Sequence, residues 1–252
     1  GPGGPGRSVT PGRCAKWLAV LSLAVLLAGC AGQPITPSDP ERDPWEAYNR
    51  KVHAFNMGLD RYVMRPVARG YDAVMPDAPQ RGVRNFFRNL SYPVDFLNLV
   101  LQGKFGDSVQ ATTRFLINTT VGLGGFFDVA TREGIPRYEE DFGQTLAVWG
   151  WSESRYLVMP LFGPYTVRDF LGRSFYGYFH PLSYLAREKN SYSLIVVDLV
   201  TLRAELLPFD QQIEEAADPY VLIRDVYLQN REFKIYDGDP PAPDYDALLE
   251  DF

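Results

Sequence analysis

The sequence predicts a mainly α-helical single domain, and three observations carry that reading. Apolar residues recur at spacings of three and four, rather than two, over most of the stretch from Asp43 to Tyr236. Helix-start signals, an acid followed by proline, stand at Asp43-Pro44 and Asp218-Pro219. Only Thr145 to Trp149 and Tyr156 to Met159 read as extended.

Taken in order, the chain opens with a Gly/Pro-rich stretch, Gly1 to Gly6, expected to lie outside the true start and left out of the fold reading. Arg7, Arg13 and Lys16 then form a positive region ahead of the apolar run Trp17 to Leu27. That run is shorter than the about 20 residues a permanent spanning helix needs. It ends in Leu27-Ala28-Gly29-Cys30, which reads as a lipobox. Residues 1–29 are therefore expected to be a removed export signal. Cys30 is expected to carry a diacylglycerol and an N-acyl chain, which together anchor stably. Ala31, where a retention signal would place Asp, is compatible with sorting to the outer membrane.

Residues 30–42 read as a polar, Pro-containing tether and residues 237–252 as an acidic tail with six acids and no base. Residues 43–236 form the helical domain. The signal takes three basic residues and no acid with it, so the mature chain is more acidic than the net −6 of the whole. Such a balance excludes nucleic acid as a partner, since phosphates need a cationic face. Cys14 leaves with the signal and Cys30 is acylated, so packing alone must hold the fold.

The first helix is expected from Asp43 as N-cap, with Pro44 at the first position and Glu46 at the third, ending at Arg65-Pro66. One stripe on it is apolar: Trp45, Tyr48, Val52, Phe55, Leu59, Tyr62. Beside it runs a polar stripe of Asn49, His53, Asn56 and Asp60. Further helices are expected over Asp77 to Leu90, Val94 to Leu101, Asp107 to Thr119, Val167 to Tyr178 and Ser191 to Leu207. A last one starts at Asp218 and carries Tyr220, Ile223 and Tyr227 towards Phe233. The strongest mature apolar run, Leu194 to Val197, stops at Asp198, so the body does not cross a bilayer as a helix bundle. Aromatic residues make up 14% of the chain, which suits either a Phe-rich core or a bilayer interface.

No enzyme is legible. The histidines are His53 and His180, no usable thiol remains, and no Gly-x-Ser-x-Gly, His-Glu-x-x-His or phosphate-loop motif occurs. Gly122-Leu123-Gly124-Gly125 lacks dinucleotide-site spacing. No metal or other cofactor is expected. His53 and His180 read as structural, the latter in a turn before Pro181.

Residues 115–127 are uncharged and bounded by Arg114 and Asp128. Too short to span, the segment fits either a buried core element or an interfacial one. Arg81, Arg84 and Arg88 form a basic stripe suited to a phosphate headgroup or a partner, or to simple solvation.

These residues resemble the MlaA (VacJ) family of outer-membrane lipoproteins. The likeness runs through Asp43-Pro44-Trp45-Glu46, Asn49-Arg50, Phe55-Asn56, Leu59-Asp60 and Arg65-Pro66-Val67-Ala68. It continues through Asn85-Phe86, Leu101-Gln102-Gly103, Arg114-Phe115, Gly124-Gly125-Phe126 and Asp128-Val129-Ala130. The later half adds Phe142-Gly143-Gln144-Thr145-Leu146, Gly163-Pro164-Tyr165, Arg168-Asp169, Arg203-Ala204 and Asp218-Pro219-Tyr220. Trp151-Ser152-Glu153-Ser154-Arg155 departs from it, where a Gly-Pro-type turn is expected. The resemblance implies a helical disc-like domain in the inner, periplasmic leaflet of the Gram-negative outer membrane, beside porin trimers, with an amphipathic central channel. Mislocalised phospholipid would leave the outer leaflet through it as a transient ligand, pass to a soluble periplasmic carrier and go on to an ATP-driven inner-membrane complex. The candidate path residues are Asn56, Leu123, Gly124, Phe126 and Phe127, with Arg81, Arg84 and Arg88 as headgroup or partner contacts. The alternative is a porin-associated scaffold without transport.

Overall fold

Helices do form almost everywhere the 3.6-residue period points, but the first of them turns its polar stripe inward. The computed structural model describes residues 38–185 and 192–241, which lie in one unit, Pro37–Phe252. Cys30, the expected signal 1–29, most of the tether and most of the acidic tail lie outside the described residues.

Helix α1 (Glu46–Leu59) runs through a π-helical turn (Asp60–Met64) into α2 (Arg65–Val74), so the chain does not stop at Arg65-Pro66 as expected. The Arg65 amide reaches back five residues to the Asp60 carbonyl. That wider turn relieves the clash between a proline ring and the carbonyl four residues earlier, so the helix continues. There follow α3 (Asp77–Leu90), α4 (Tyr92–Leu101), α5 (Phe105–Thr120), α6 (Val129–Arg132) and α7 (Phe142–Val148). Strands β1 (Tyr156–Met159) and β2 (Gly163–Thr166) make an antiparallel hairpin, with Tyr156 opposite Thr166 and Met159 opposite Gly163. Then come α8 (Val167–Phe179), α9 (Pro181–Leu185), α10 (Tyr192–Glu205), a 3₁₀ turn (Leu207–Phe209), α11 (Asp210–Glu214) and α12 (Pro219–Ile235).

Two local expectations are overturned. Thr145 to Trp149 is not extended: residues through Val148 belong to α7, capped by Asp141, whose carboxylate accepts the Gln144 amide at 3.0 Å. The β-branched and aromatic side chains suggested a strand, but Thr145 donates its hydroxyl to Asn98 in the interior. Asp43 does not cap α1, whose first residue follows Trp45. Its carboxylate is fully buried and accepts from Asn49, Tyr220 and Arg224 instead. The Asp218 cap forms as expected, accepting from the amides of Tyr220 and Val221.

On α1 the apolar stripe lies mostly outside: Tyr48, Phe55 and Tyr62 are exposed, Tyr62 by 79%. The polar stripe lies inside. Asn49, wholly buried, donates to Asp43 and to the Tyr156 carbonyl and accepts the Val158 amide. Asp60 accepts two bonds from Arg203 of α10, which also holds Asp210. Arg65 pairs with Glu214 and Asp210. Among the described residues, more polar and charged side chains than apolar ones are buried. The apolar core is small: Tyr156, Val158 and Tyr220, with Val52, Val221, Tyr227 and Leu228 against it. Helix α12 is riveted from its buried side, where Arg231 pairs with Asp141 and Asp169 and Tyr227 donates to Asp169. Where α8 meets α7, a Cβ on Gly172 would lie 2.7 Å from the Gly143 nitrogen, so only glycine permits that approach.

Candidate functional site

The uncharged segment after α5 folds into a glycine-rich loop docked on α3. Leu123, Gly124 and Gly125 have positive φ (52°, 71° and 92°), which glycine adopts freely and leucine does not. Leu123 therefore stands at a strained tip, 70% exposed. Phe126 fills the notch left by Gly82, where a Cβ would meet its ring at 2.2 Å. Asn89 of α3 donates to Thr119 at 2.9 Å and more weakly to the Gly124 carbonyl, while Asn85 reaches the Phe126 carbonyl at 3.4 Å. Phe127 meets Phe126 edge to face and is about half exposed.

Four of the five candidate path residues (Leu123, Gly124, Phe126 and Phe127) are thus brought together, on the helix that carries the arginine stripe. Asn56 is engaged elsewhere. It donates to the Met159 carbonyl at 3.0 Å and accepts the Leu161 amide at 2.8 Å, fastening the β1–β2 hairpin. Of the arginines, Arg81 is exposed, Arg84 pairs with Glu205 of α10 at 2.6 Å, and Arg88 reaches the same oxygen at only 3.4 Å.

Behind α3 lies a cavity of about 330 Å³ with walls from α3, α4, α5, the segment 128–141, α10 and α12. Arg88, Asn85 and Asn89 contribute its α3 side, and Tyr92, Phe115 and Leu202 give it apolar surface. The Tyr92 and Phe115 rings stack at 4.2 Å. Arg114, Asp128, Arg137, Glu139, Asp95 and Lys234 add charges of both signs. The sequence marks Arg114 and Asp128 as the ends of an uncharged run and as part of the family resemblance, but not as partners. Their pairing, at 2.5 Å, closes that run into a loop. Spacing gave no signal for Asp95, Lys234 or the pair Arg137 and Glu139, which come from three separate parts of the chain.

The electrostatics follow from the contacts. Burial works to raise the Asp128 carboxyl, but hydrogen bonds from Thr131 and Asn118 and the charge of Arg114 bring it down to about 2. Burial pushes Asp95 well above the usual carboxylate range; the Glu140 amide opposes this, and the charges of Glu139 and Glu140 reinforce it. Burial lowers Arg137, and the neighbouring guanidiniums of Arg88 and Arg114 lower it further.

Ser91, on the cavity wall, and His180 beside it have the residue types of a nucleophile and its base: Ser91 Oγ lies 3.2 Å from His180 Nε2. The hydrogen bonds assign the wrong direction for catalysis. His180 Nδ1 accepts the Leu182 amide, which places the proton of the neutral ring on Nε2, facing Ser91. Ser91 in turn donates to the Phe87 carbonyl. Burial lowers His180 to about 4, so the ring is neutral at neutral pH and holds Ser91 as an acceptor. His53, half-buried, packs edge to face on the Tyr220 ring.

A family model described as MlaA lipoprotein matches residues 41–234. The Escherichia coli K12 protein named intermembrane phospholipid transport system lipoprotein MlaA is 34% identical over 242 residues, 93% of this chain and 96% of its own. A Haemophilus influenzae protein of the same name is 33% identical over 226 residues, covering 88% and 90%. An uncharacterized Rickettsia typhi protein is 36% identical over 195 residues, covering 77% and 78%. A solved structure reported under the words "Structural basis for maintenance of bacterial outer membrane lipid asymmetry" superposes with a TM-score of 0.68 at 34% identity, covering 77% of this chain and 98% of its own. This chain belongs to the MlaA lipoprotein family.

Proposed function

We propose that this chain is a lipid-anchored outer-membrane lipoprotein that removes phospholipid from the outer leaflet and hands it to a soluble periplasmic carrier. Beside it stand porin trimers, and the acyl chains on Cys30 hold it to the periplasmic leaflet. It acts by passage, not by bond cleavage.

The observation that carries this reading is the pairing of an apolar exterior with a polar interior cavity. Aromatic and aliphatic side chains along α1, the loop tip Leu123 and the hairpin tip Leu161-Phe162 are exposed, while ion pairs and amides fill the inside. In water such a distribution costs about 25 cal/mol for each Å² of apolar surface; in acyl chains it does not. Among the described residues no helix is long and apolar enough to cross a membrane, which fits a body lying in one leaflet. A transported phospholipid needs polar groups for its headgroup and apolar wall for its chains, and the cavity behind α3 carries both. The names of the Escherichia coli and Haemophilus influenzae relatives support the same reading.

Surface-exposed phospholipid, intact and lyso, measured in cells lacking the protein tests it. Intact outer-leaflet phospholipid should rise and be restored by the wild type but not by Cys30→Ser. No rise, with the protein normally abundant in the control, overturns the transport reading in favour of a scaffold. Accumulated lyso-phospholipid that depends on the protein would instead identify a hydrolase.

A further inference from the structure

We infer that the cavity behind α3 selects a zwitterionic headgroup, a phosphate joined to a primary ammonium, over a purely anionic one. This rests on the phospholipid-binding reading above and names the class of lipid that site prefers.

Size comes first. At about 330 Å³ the cavity is at the small end of ligand pockets, room for a headgroup and not for two acyl chains. The chains would stay against the exposed apolar exterior, so the discrimination inside falls on charge.

The positive side is Arg88, Arg114 and Arg137. Arg114 is committed, donating to the Ile135 carbonyl, Asp128 and Thr131. Arg88 is not: its contact to Glu205 is 3.4 Å, and Arg84 holds that carboxylate better at 2.6 Å. Its guanidinium retains donors for a phosphate, which a planar fork binds well.

The acidic side is Asp95 with Glu139 and Glu140; burial holds the Asp95 carboxyl towards its neutral form until a cation joins it. Asp95 uses Oδ1 to accept the Glu140 amide, and Oδ2 has no partner among the described residues. Glu139 holds Lys234 at 3.1 Å in a half-exposed pair, the kind that contributes little and exchanges readily. Arg137 and Glu139 stand two residues apart in a segment with neither helix nor strand, and both line the cavity. One site thus presents a cation able to take a phosphate and carboxylates able to take an ammonium. A headgroup with only hydroxyls would satisfy Arg88 but bring no cation to the buried Asp95 carboxyl, and the Glu139 charge would oppose its phosphate.

The test uses the purified, acylated full chain incubated in mixed micelles holding equal amounts of phosphatidylethanolamine and phosphatidylglycerol. Co-purified lipid is then quantified by mass spectrometry. Wild type should capture phosphatidylethanolamine in about two- to fivefold excess, the range a partly exposed charge pair can supply. Asp95→Asn with Glu139→Gln should bring the ratio to about one by lowering phosphatidylethanolamine capture. Glu139→Gln alone, a change at a half-exposed position that leaves the buried Asp95 untouched, should move it part-way. Arg88→Gln should lower capture of both lipids. A wild-type ratio of one with lipid bound overturns this inference and leaves the transport reading standing. Failure of the wild type to bind either lipid overturns both. An unchanged ratio in folded Glu139→Gln and in the folded double variant overturns the assignment of these carboxylates.

Discussion

Two regions bury polar groups for opposite ends. Around the hairpin and α12, the polar atoms close on one another: Asn49 spends its amide on Asp43, Tyr156 and Val158, and Arg231 is held between Asp141 and Asp169. Around α3 and the glycine-rich loop, polar atoms line an open volume, and Arg88 and Asp95 retain capacity for something else. Both regions break the rule of apolar inside and polar outside. Buried polar groups tied to one another by ion pairs and hydrogen bonds rigidify a fold, whereas polar groups lining an open volume offer a place for water or a ligand. The first region is scaffold; the second is the candidate site.

The largest expected effect lies in the scaffold. Arg231→Met leaves Asp141 without its cation and Asp169 with Arg168 alone, and should cost about 3–5 kcal/mol in urea denaturation. A loss below about 1 kcal/mol would erase the distinction between the regions, because α12 would then not depend on its ion pairs.

Next comes pH. The buried His180 is lowered from 6.5 to about 4, so the unfolded chain binds its proton more readily than the folded one. Its contribution is fully present above pH 6.5, is lost as pH falls from there towards 4, and is constant below. Comparison of wild type with His180→Asn should show a roughly 3 kcal/mol smaller loss in the variant over that window. Equal slopes would mean that His180 is not held neutral against Ser91.

At the boundary between scaffold and site, Gly82→Ala would put a methyl group into the Phe126 ring. The ring must rotate out of its notch, at a cost of about 1–2 kcal/mol, and the loop should loosen. Lipid transport should fall more than stability. Proteolysis within residues 121–127 should increase, and a wild-type cleavage pattern would show that Phe126 does not anchor the loop.

The smallest effect sharpens the position of Asn56. As a hairpin fastener, Asn56→Ala should cost about 1 kcal/mol, with the melting midpoint lowered and transport reduced only as far as abundance falls. Transport lost at normal abundance and stability would place Asn56 on the lipid path as well as at the hairpin.

Much of the fold was legible because helices announce themselves locally. α3 begins at Asp77 and ends at Leu90, as its period predicts, and Asp218 caps α12 as its sequence signature requires. Local signals failed where a distant partner outbid them. Asp43 was drawn from its cap position to Tyr220 and Arg224, and Thr145 from an expected strand into a helix facing Asn98. Pro66 did not stop α1 because a π turn accommodated it. The site was half legible: the glycine-rich loop and the arginine helix both stood out as segments, but nothing in their spacing said that they meet.

By itself, the sequence determined the helical class, the family and the existence of two adjacent stripes on α1, because periodicity and motif order are properties of neighbouring residues. The tertiary structure decided which stripe faces inward, since that depends on the partners Asp43, Tyr156 and Arg203 supply from far along the chain. It also decided that Arg88, Asp95 and Glu139 share one cavity. Opposite charges from separate elements become a site only when packing leaves a space between them.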